Sequence, residues 1–298
     1  MEKGILLESG TNELELVEFE VGQNKYGINV IKVKEIIQPL PITTIPHSHS
    51  FVEGIIQLRG EVLPVVSMEK VLGYPSNLTK STGKYIVTEF NRQKVVFHVD
   101  NVSQIHRISW QDIEKPSTMV HDDHTRVIGV VKHADDMILI LDFESIMVEI
   151  NPESGIHVDQ VRKLGKRERS NKKIVIAEDS PLLRKLLHET LTEAGYENID
   201  SFENGELALN YLLSLREAGT LKEDVQIVIT DIEMPQMDGH HLTRRIKEEK
   251  ELSTLPVIIF SSLITEDLKH KGEKVGAEAQ VSKPEIEKLV QLIDQHIK

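Results

Sequence analysis

The sequence predicts two domains of different class, an all-β barrel or sandwich followed by an α/β domain with a five-stranded parallel sheet. Three observations carry this. The 298 residues are roughly twice the common domain length. The first half runs in short alternations of apolar and polar residues broken by Gly, Pro, Asn and Asp. The second half runs in short β-branched stretches separated by segments of helical period.

In the first half, alternation begins at LELVEFEV (14–21), and strand-like runs follow at 54–58, 61–66, 85–90, 95–99, 126–131 and 137–141. An apolar residue at every second position turns one face of each strand toward a core. Helical period is confined to 29–38 and 67–72. Many short strands with so little helix are the pattern of a barrel or sandwich. Trp110, in ISWQDIEKP, is the single tryptophan and reads as a cap on that core.

In the second half the strands are KIVIA (173–177), a weaker YENIDSF (196–202), VQIVIT (225–230), PVIIF (256–260) and AQVS (279–282). Helical-period segments such as 182–194, 206–216, 240–249 and 285–297 lie between and after them. Strands alternating with helices imply right-handed βαβ units and a parallel sheet covered on both faces. Ligands of such sheets bind beyond the carboxyl ends of the strands.

Charge marks the division between the halves. Residues 1–160 carry a formal charge of −9, residues 161–170 carry +4 and residues 171–298 carry −8, within a total of −13. The run VRKLGKRERS (161–170) has few apolar residues and reads as a solvated basic linker within 151–171, joining domains at 12–150 and 172–298. The overall negative charge repels phosphate backbones, so nucleic acid is not an expected partner. There is no cysteine, which excludes disulfides, thiolate nucleophiles and cysteine-ligated zinc. No apolar stretch suits a signal peptide or approaches the ~18 residues of a membrane span, so a cytoplasmic protein without direct membrane insertion is expected.

Five polar residues fall at strand ends of the second half. Glu178 and Asp179 follow the first strand, Asp231 follows the third, Ser261 follows the fourth and Lys283 follows the fifth. A lone acid in such a place is usually a helix cap, and Ser180-Pro181 is itself a good helix start. Three carboxylates converging on one edge instead invite a hard divalent cation with oxygen ligands, and Mg²⁺ fits best. A carboxylate nucleophile, a metal, a hydroxyl and an ammonium group are together what phosphorylation of an aspartate requires.

With AEDS, DIEMPQMDG, FSS and KP in this order over 172–298, the second half resembles the receiver domain of bacterial two-component response regulators. The resemblance implies an α/β flavodoxin-like fold, with Asp231 as phosphoacceptor and Glu178, Asp179 and Asp231 around Mg²⁺. It implies that Ser261 and Lys283 contact the phosphoryl group, and that Met234-Pro235 and Asp238-Gly239 shape the following loop. Two departures stand out. Glu178 occupies a position where many receivers have Asp, and Gln280 one where signalling receivers usually carry Tyr or Phe, so the resemblance does not carry over the rotation of a buried ring and leaves the output route open.

The first half holds no nucleophile constellation, phosphate loop or dinucleotide fingerprint. His47, His49, His121 and His124 lie in polar stretches without a third ligand placed by a strand or helix, and read as surface histidines. LVEFEVGQNKYGINVIKVKEII, IPHSHSFVEGIIQLRGEVLPVVSMEKVLG, ISWQDIE and GVVKHADDMILILDFE resemble, in order, the CheW family of chemotaxis coupling proteins over about 12–148. That resemblance implies a double SH3-like barrel bridging methyl-accepting chemoreceptors and the histidine kinase CheA, with Glu35 and Arg59 as partner-binding positions.

A CheW-like domain joined to a receiver resembles the CheV family. It implies a chemotaxis signal-transduction adaptor, not an enzyme, recruited to chemoreceptor arrays and regulated by a phosphorelay from CheA to Asp231. A phosphate sink that drains CheA without changing coupling is the alternative. A receiver-gated methylesterase would need a nucleophile constellation in the first half. A DNA-binding regulator would need a helix-turn-helix and a basic surface, which the acidic, strand-rich first half does not offer.

Overall fold

Among the residues described by the computed structural model, 12–75, 82–91, 93–115, 126–133, 136–165 and 167–297, the first half builds two β-sheets and the second half a third. The chain divides into two compact units: the first comprises Leu14–Ile108 and Asp112–Pro152, and the second comprises the chain from Glu153 onward together with residues 12–13 and Ser109–Gln111.

The first unit comprises β1 (Glu13–Val21), β2 (Asn24–Asn29), β3 (Val33–Ile37), β4 (Val52–Leu58), β5 (Glu61–Ser67), α1 (Met68–Val71), β6 (Lys84–Phe90), β7 (Gln93–Val99), β8 (Asn101–Ser109), β9 (Ile113–Glu114), β10 (Val127–His133), β11 (Asp136–Leu141) and α2 (Phe143–Ile150). One sheet has the order β8-β1-β2-β11-β10-β9 and the other β3-β6-β7-β5-β4. Their inward side chains share a core centred on Phe143, whose ring lies 6.3 Å from Phe19 of β1, 6.2 Å from Phe90 of β6 and 5.1 Å from Phe97 of β7. The buried Glu18 is matched by the Ser103 hydroxyl at 2.7 Å and His106 Nε2 at 2.6 Å, as a charge inside a sheet must be. Trp110 is buried, but it is grouped with the second unit and is not part of the core around Phe143.

One helix expected from the sequence is a strand. Residues 29–38 form a 3₁₀ turn, Val30–Lys32, closed by the Asn29 side chain accepting from Ile31 N, and then β3. Val30, Val33, Ile36 and Ile37 suit either period, and pairing of Ile36 with Ile86 and Ile37 with Tyr85 on β6 decides for the strand. The 67–72 expectation holds as the short α1, capped by Ser67 Oγ accepting from Lys70 N. Strands β2, β8 and β9 were not among the expected ones.

The second unit contains α3 (Val158–Arg162), β12 (Ser170–Ala177), α4 (Pro181–Glu193), β13 (Tyr196–Phe202), α5 (Gly205–Ala218), α6 (Leu221–Asp224), β14 (Ile227–Thr230), α7 (Gly239–Glu248), β15 (Val257–Ser261), α8 (Glu266–Val275), β16 (Ala279–Ser282) and α9 (Ile286–His296). The sheet order is β13-β12-β14-β15-β16 with every pair parallel, as the alternation of strands and helices requires. Alternation along β12 fills both faces. Ile174 and Ile176 join Leu187, Leu191 and Ile293 of α4 and α9, while Val175 and Ala177 join Leu209, Leu212 and Leu242 of α5 and α7.

The basic run 161–170 is not the solvated linker expected from its composition. Val161 is buried in the second unit's core with Ile156, and α3 packs on α4 and α9. Arg162 meets Glu193 at 3.0 Å, and Arg167 donates to the Ala194 carbonyl at 2.7 Å and to Asp294. A few apolar residues suffice when the face that they cover is already built, and the arginines find acids on that face.

Candidate functional site

The carboxyl ends of β12, β14, β15 and β16 bring the five polar residues together. Neighbouring strand ends are tied by Asp231 N donating to the Ala177 carbonyl and Lys283 N to the Ser261 carbonyl, each at 2.9 Å. Lys283 Nζ lies 2.7 Å from Glu178 Oε2 and 3.2 Å from Asp231 Oδ2. Glu178, Asp231, Ser261 and Lys283 are buried, whereas Asp179 is half-buried. Asp231 Oδ1 accepts from Ile232 N at 2.7 Å, and Glu178 Oε1 accepts from Ser180 N at 3.3 Å. The acids are thus fixed by backbone and ammonium donors.

Glu178, Asp179 and Asp231 each offer a carboxylate oxygen within 4.8 Å of the others. Two of the three carboxylates, Glu178 and Asp231, meet the single ammonium group of Lys283, and all three of these groups are buried. Such a set is chemically suited to an oxygen-preferring divalent cation, and Mg²⁺ fits these donors. This is the one such acidic or histidine cluster found among the described residues.

Several supporting residues escaped the sequence reading. Arg184 on the first turn of α4 donates from Nη1 to the carbonyls of Glu178 and Asp179, at 2.5 and 3.2 Å, and so fixes the backbone that carries both acids. Thr230 Oγ1 donates to the Asp231 carbonyl at 2.8 Å. The Gly239 backbone sits against that same carbonyl so closely that a Cβ there would overlap it. Asp238, named with Gly239 for this loop in the sequence, caps α7, its Oδ1 accepting from His241 N at 2.8 Å.

Gln280 lies on β16 opposite Ile259 of β15, and its amide turns toward α8, where Nε2 donates to the Lys269 carbonyl at 2.7 Å.

In the first unit, Arg59 Nη2 meets Glu35 Oε2 at 2.8 Å. The pair borders a groove of about 440 Å³ with Leu58, Leu63 and Val87 on its wall and the pairs Lys34–Glu89 and Lys94–Glu61 around it. A concave patch lined by three apolar side chains among matched charges is suited to a protein partner. His47 is exposed and His49 half-buried, and neither joins a metal-ligand cluster. His121 and His124 lie outside the described residues.

Residues 15–151 match the CheW-like domain family, and residues 174–294 match the response regulator receiver domain family. Chemotaxis protein CheV3 of Helicobacter pylori is 30% identical over 297 residues, covering 95% of this chain and 94% of its own length. Chemotaxis protein CheV1 of the same bacterium is 25% identical over 307 residues, covering 96% and 94%. A solved structure, scaffolding protein TtCheW from Thermoanaerobacter tengcongensis, is 32% identical, covers 43% of this chain and 88% of its own, and has a TM-score of 0.40.

Proposed function

The chain belongs to the CheV family of chemotaxis proteins, and from that premise we propose that it couples methyl-accepting chemoreceptors to the histidine kinase CheA and is regulated by Mg²⁺-dependent phosphorylation of Asp231. Its CheW-like domain is the adaptor, its receiver the regulatory module. The observation that carries the regulatory half is Lys283 Nζ shared between Glu178 and Asp231 beside the half-buried Asp179. Glu35 and Arg59, which border the groove, are the partner-binding residues in this reading. No helix among the described residues is long and apolar enough to cross a membrane. The proposed place of work is the cytoplasmic side of a receptor array.

Asp231 acts as the nucleophile. An Oδ atom bonds to the phosphorus of phosphohistidine on CheA, the P–N bond breaks, and its electron pair stays on the leaving nitrogen, so that an imidazole ring protonated at its other nitrogen leaves neutral and Asp231 becomes an acyl phosphate. Glu178, Asp179 and Asp231 would hold Mg²⁺, which when bound would supply charge neutralisation for the phosphoryl oxygens. Lys283 exchanges part of its contact with Glu178 and Asp231 for a phosphoryl oxygen, and the Ser261 hydroxyl donates to another.

The test is phosphotransfer from radiolabelled phospho-CheA to the full chain in Mg²⁺. Wild type takes up label and Asp231→Ala does not; equal labelling would remove Asp231 from the mechanism. Receptor-array affinity with and without beryllofluoride separates switch from sink. A change supports regulated coupling, and equal affinity supports a phosphate sink.

A further inference from the structure

Helix α8 carries a glycine in its buried face, Gly272, although glycine is a poor residue for a helix interior. The reason lies across from it on β16. A Cβ on Gly272 would overlap the side-chain amide of Gln280, which fills the notch and donates from Nε2 to the Lys269 carbonyl at 2.7 Å. The Gln280 carbonyl oxygen is buried there without a hydrogen-bond partner. Burying an amide with one of its groups unsatisfied opposes this placement, so the bond to Lys269 is what retains the side chain in the notch.

The same helix is gripped a second time. Leu268 of α8 packs with Ile232, Ile259 and Leu263. Ile232 follows Asp231 and donates its N–H to Asp231 Oδ1. Leu263 N donates to Ser261 Oγ at 3.4 Å. At the other grip, Gln280 stands three residues before Lys283 on one strand. Both holds on α8 therefore run by short covalent steps into the Asp231, Ser261 and Lys283 cluster, and α8 cannot shift without loading it.

We propose that Gln280 is a positioning residue for the Asp231 site: its amide latches α8 in the arrangement in which Lys283 bridges Glu178 and Asp231, and releasing that latch raises the affinity of the site for a phosphoryl group. The inference rests on Asp231 being the phosphoacceptor. A phosphoryl group competes for Lys283 and Ser261, so it favours a different arrangement of the loop entering α8. Whatever holds α8 against that change lowers phosphoryl affinity by the same factor, because coupling between two sites is reciprocal.

The experiment is calorimetric titration of the full chain with beryllofluoride in saturating Mg²⁺, with Mg²⁺ affinity measured separately. Gln280→Met retains length and loses the donor. Gly272→Ala keeps the glutamine in the sequence but puts a methyl group where its amide sits, and improves helix propensity. Both variants are expected to bind beryllofluoride about fivefold more tightly than wild type, the scale of one hydrogen bond, with Mg²⁺ affinity unchanged. A merely structural role would not move one affinity and spare the other. Beryllofluoride affinity equal to or weaker than wild type in the folded variants overturns the latch while leaving the phosphoacceptor standing. If wild type and Asp231→Asn bind beryllofluoride alike, the phosphoacceptor reading falls and takes the latch with it.

Discussion

Glu178 is one methylene longer than aspartate, and that length carries its Oε2 to 2.7 Å from Lys283 Nζ. The two adjacent acids therefore differ in role. Glu178 is buried and engaged with the ammonium group, while the half-buried Asp179 is the acid an arriving cation meets from solvent. Asp179→Asn removes one of three ligand charges while keeping shape, and should weaken Mg²⁺ binding by about tenfold or more, since affinity at oxygen sites follows ligand charge. Calorimetric titration with Mg²⁺ reads this directly; unchanged affinity would place the cation elsewhere. The residue types at the strand ends were legible because a parallel sheet sends those positions to one edge. The Glu178–Lys283 pairing, the Arg184 clamp and the Gly239 approach were not, because each depends on side-chain reach or backbone proximity that spacing along a chain does not encode.

Elements show a similar limit at a larger size. The central parallel strands were readable because β14, β15 and the second half of β12 are buried on both faces and their apolar runs stand out, whereas 29–38 was misread because its apolar spacing satisfies two periods until β6 is there to pair with it. The basic run 161–170 was misread for a related reason: composition shows charge but not the acids waiting on α4 and α9. Its arginines are unequal. The Arg167 guanidinium is 20% exposed and bonds the Ala194 carbonyl, the Tyr196 hydroxyl and Asp294, whereas Arg169, 83% exposed, bonds Glu197. Arg167→Ala should cost about 1–3 kcal/mol of second-unit stability, by loss of charge-assisted bonds to partly buried partners. Arg169→Ala should cost less than about 1 kcal/mol. Urea unfolding of both variants tests the ranking, and equal losses would return the segment to the status of a spacer.

For the molecule as a whole, two buried histidines give the two units opposite responses to pH. In the first unit, burial works against a charged His98 ring, but the Glu53 carboxylate at Nδ1 (3.0 Å) and the Thr82 carbonyl at Nε2 (2.7 Å) outweigh it and hold the imidazole above its ordinary value of 6.5. A raised pKa means that the folded state binds the proton more tightly. The stabilisation is complete below pH 6.5 and disappears as pH rises through the folded value. In the second unit, burial and the nearby Lys271 ammonium push His240 down to about 4. Here the unfolded chain binds the proton more tightly, so stability is complete above pH 6.5 and falls as pH drops toward 4, by about 2 kcal/mol at pH 5. Variants separate the two contributions. Relative to wild type, His240→Leu should gain about 2 kcal/mol between pH 8 and pH 5, while His98→Gln should lose more stability at pH 5 than at pH 8. Denaturant unfolding of both variants at the two pH values measures these differences. The same sign for both would mean that at least one ring is not held in the protonation state its neighbours dictate.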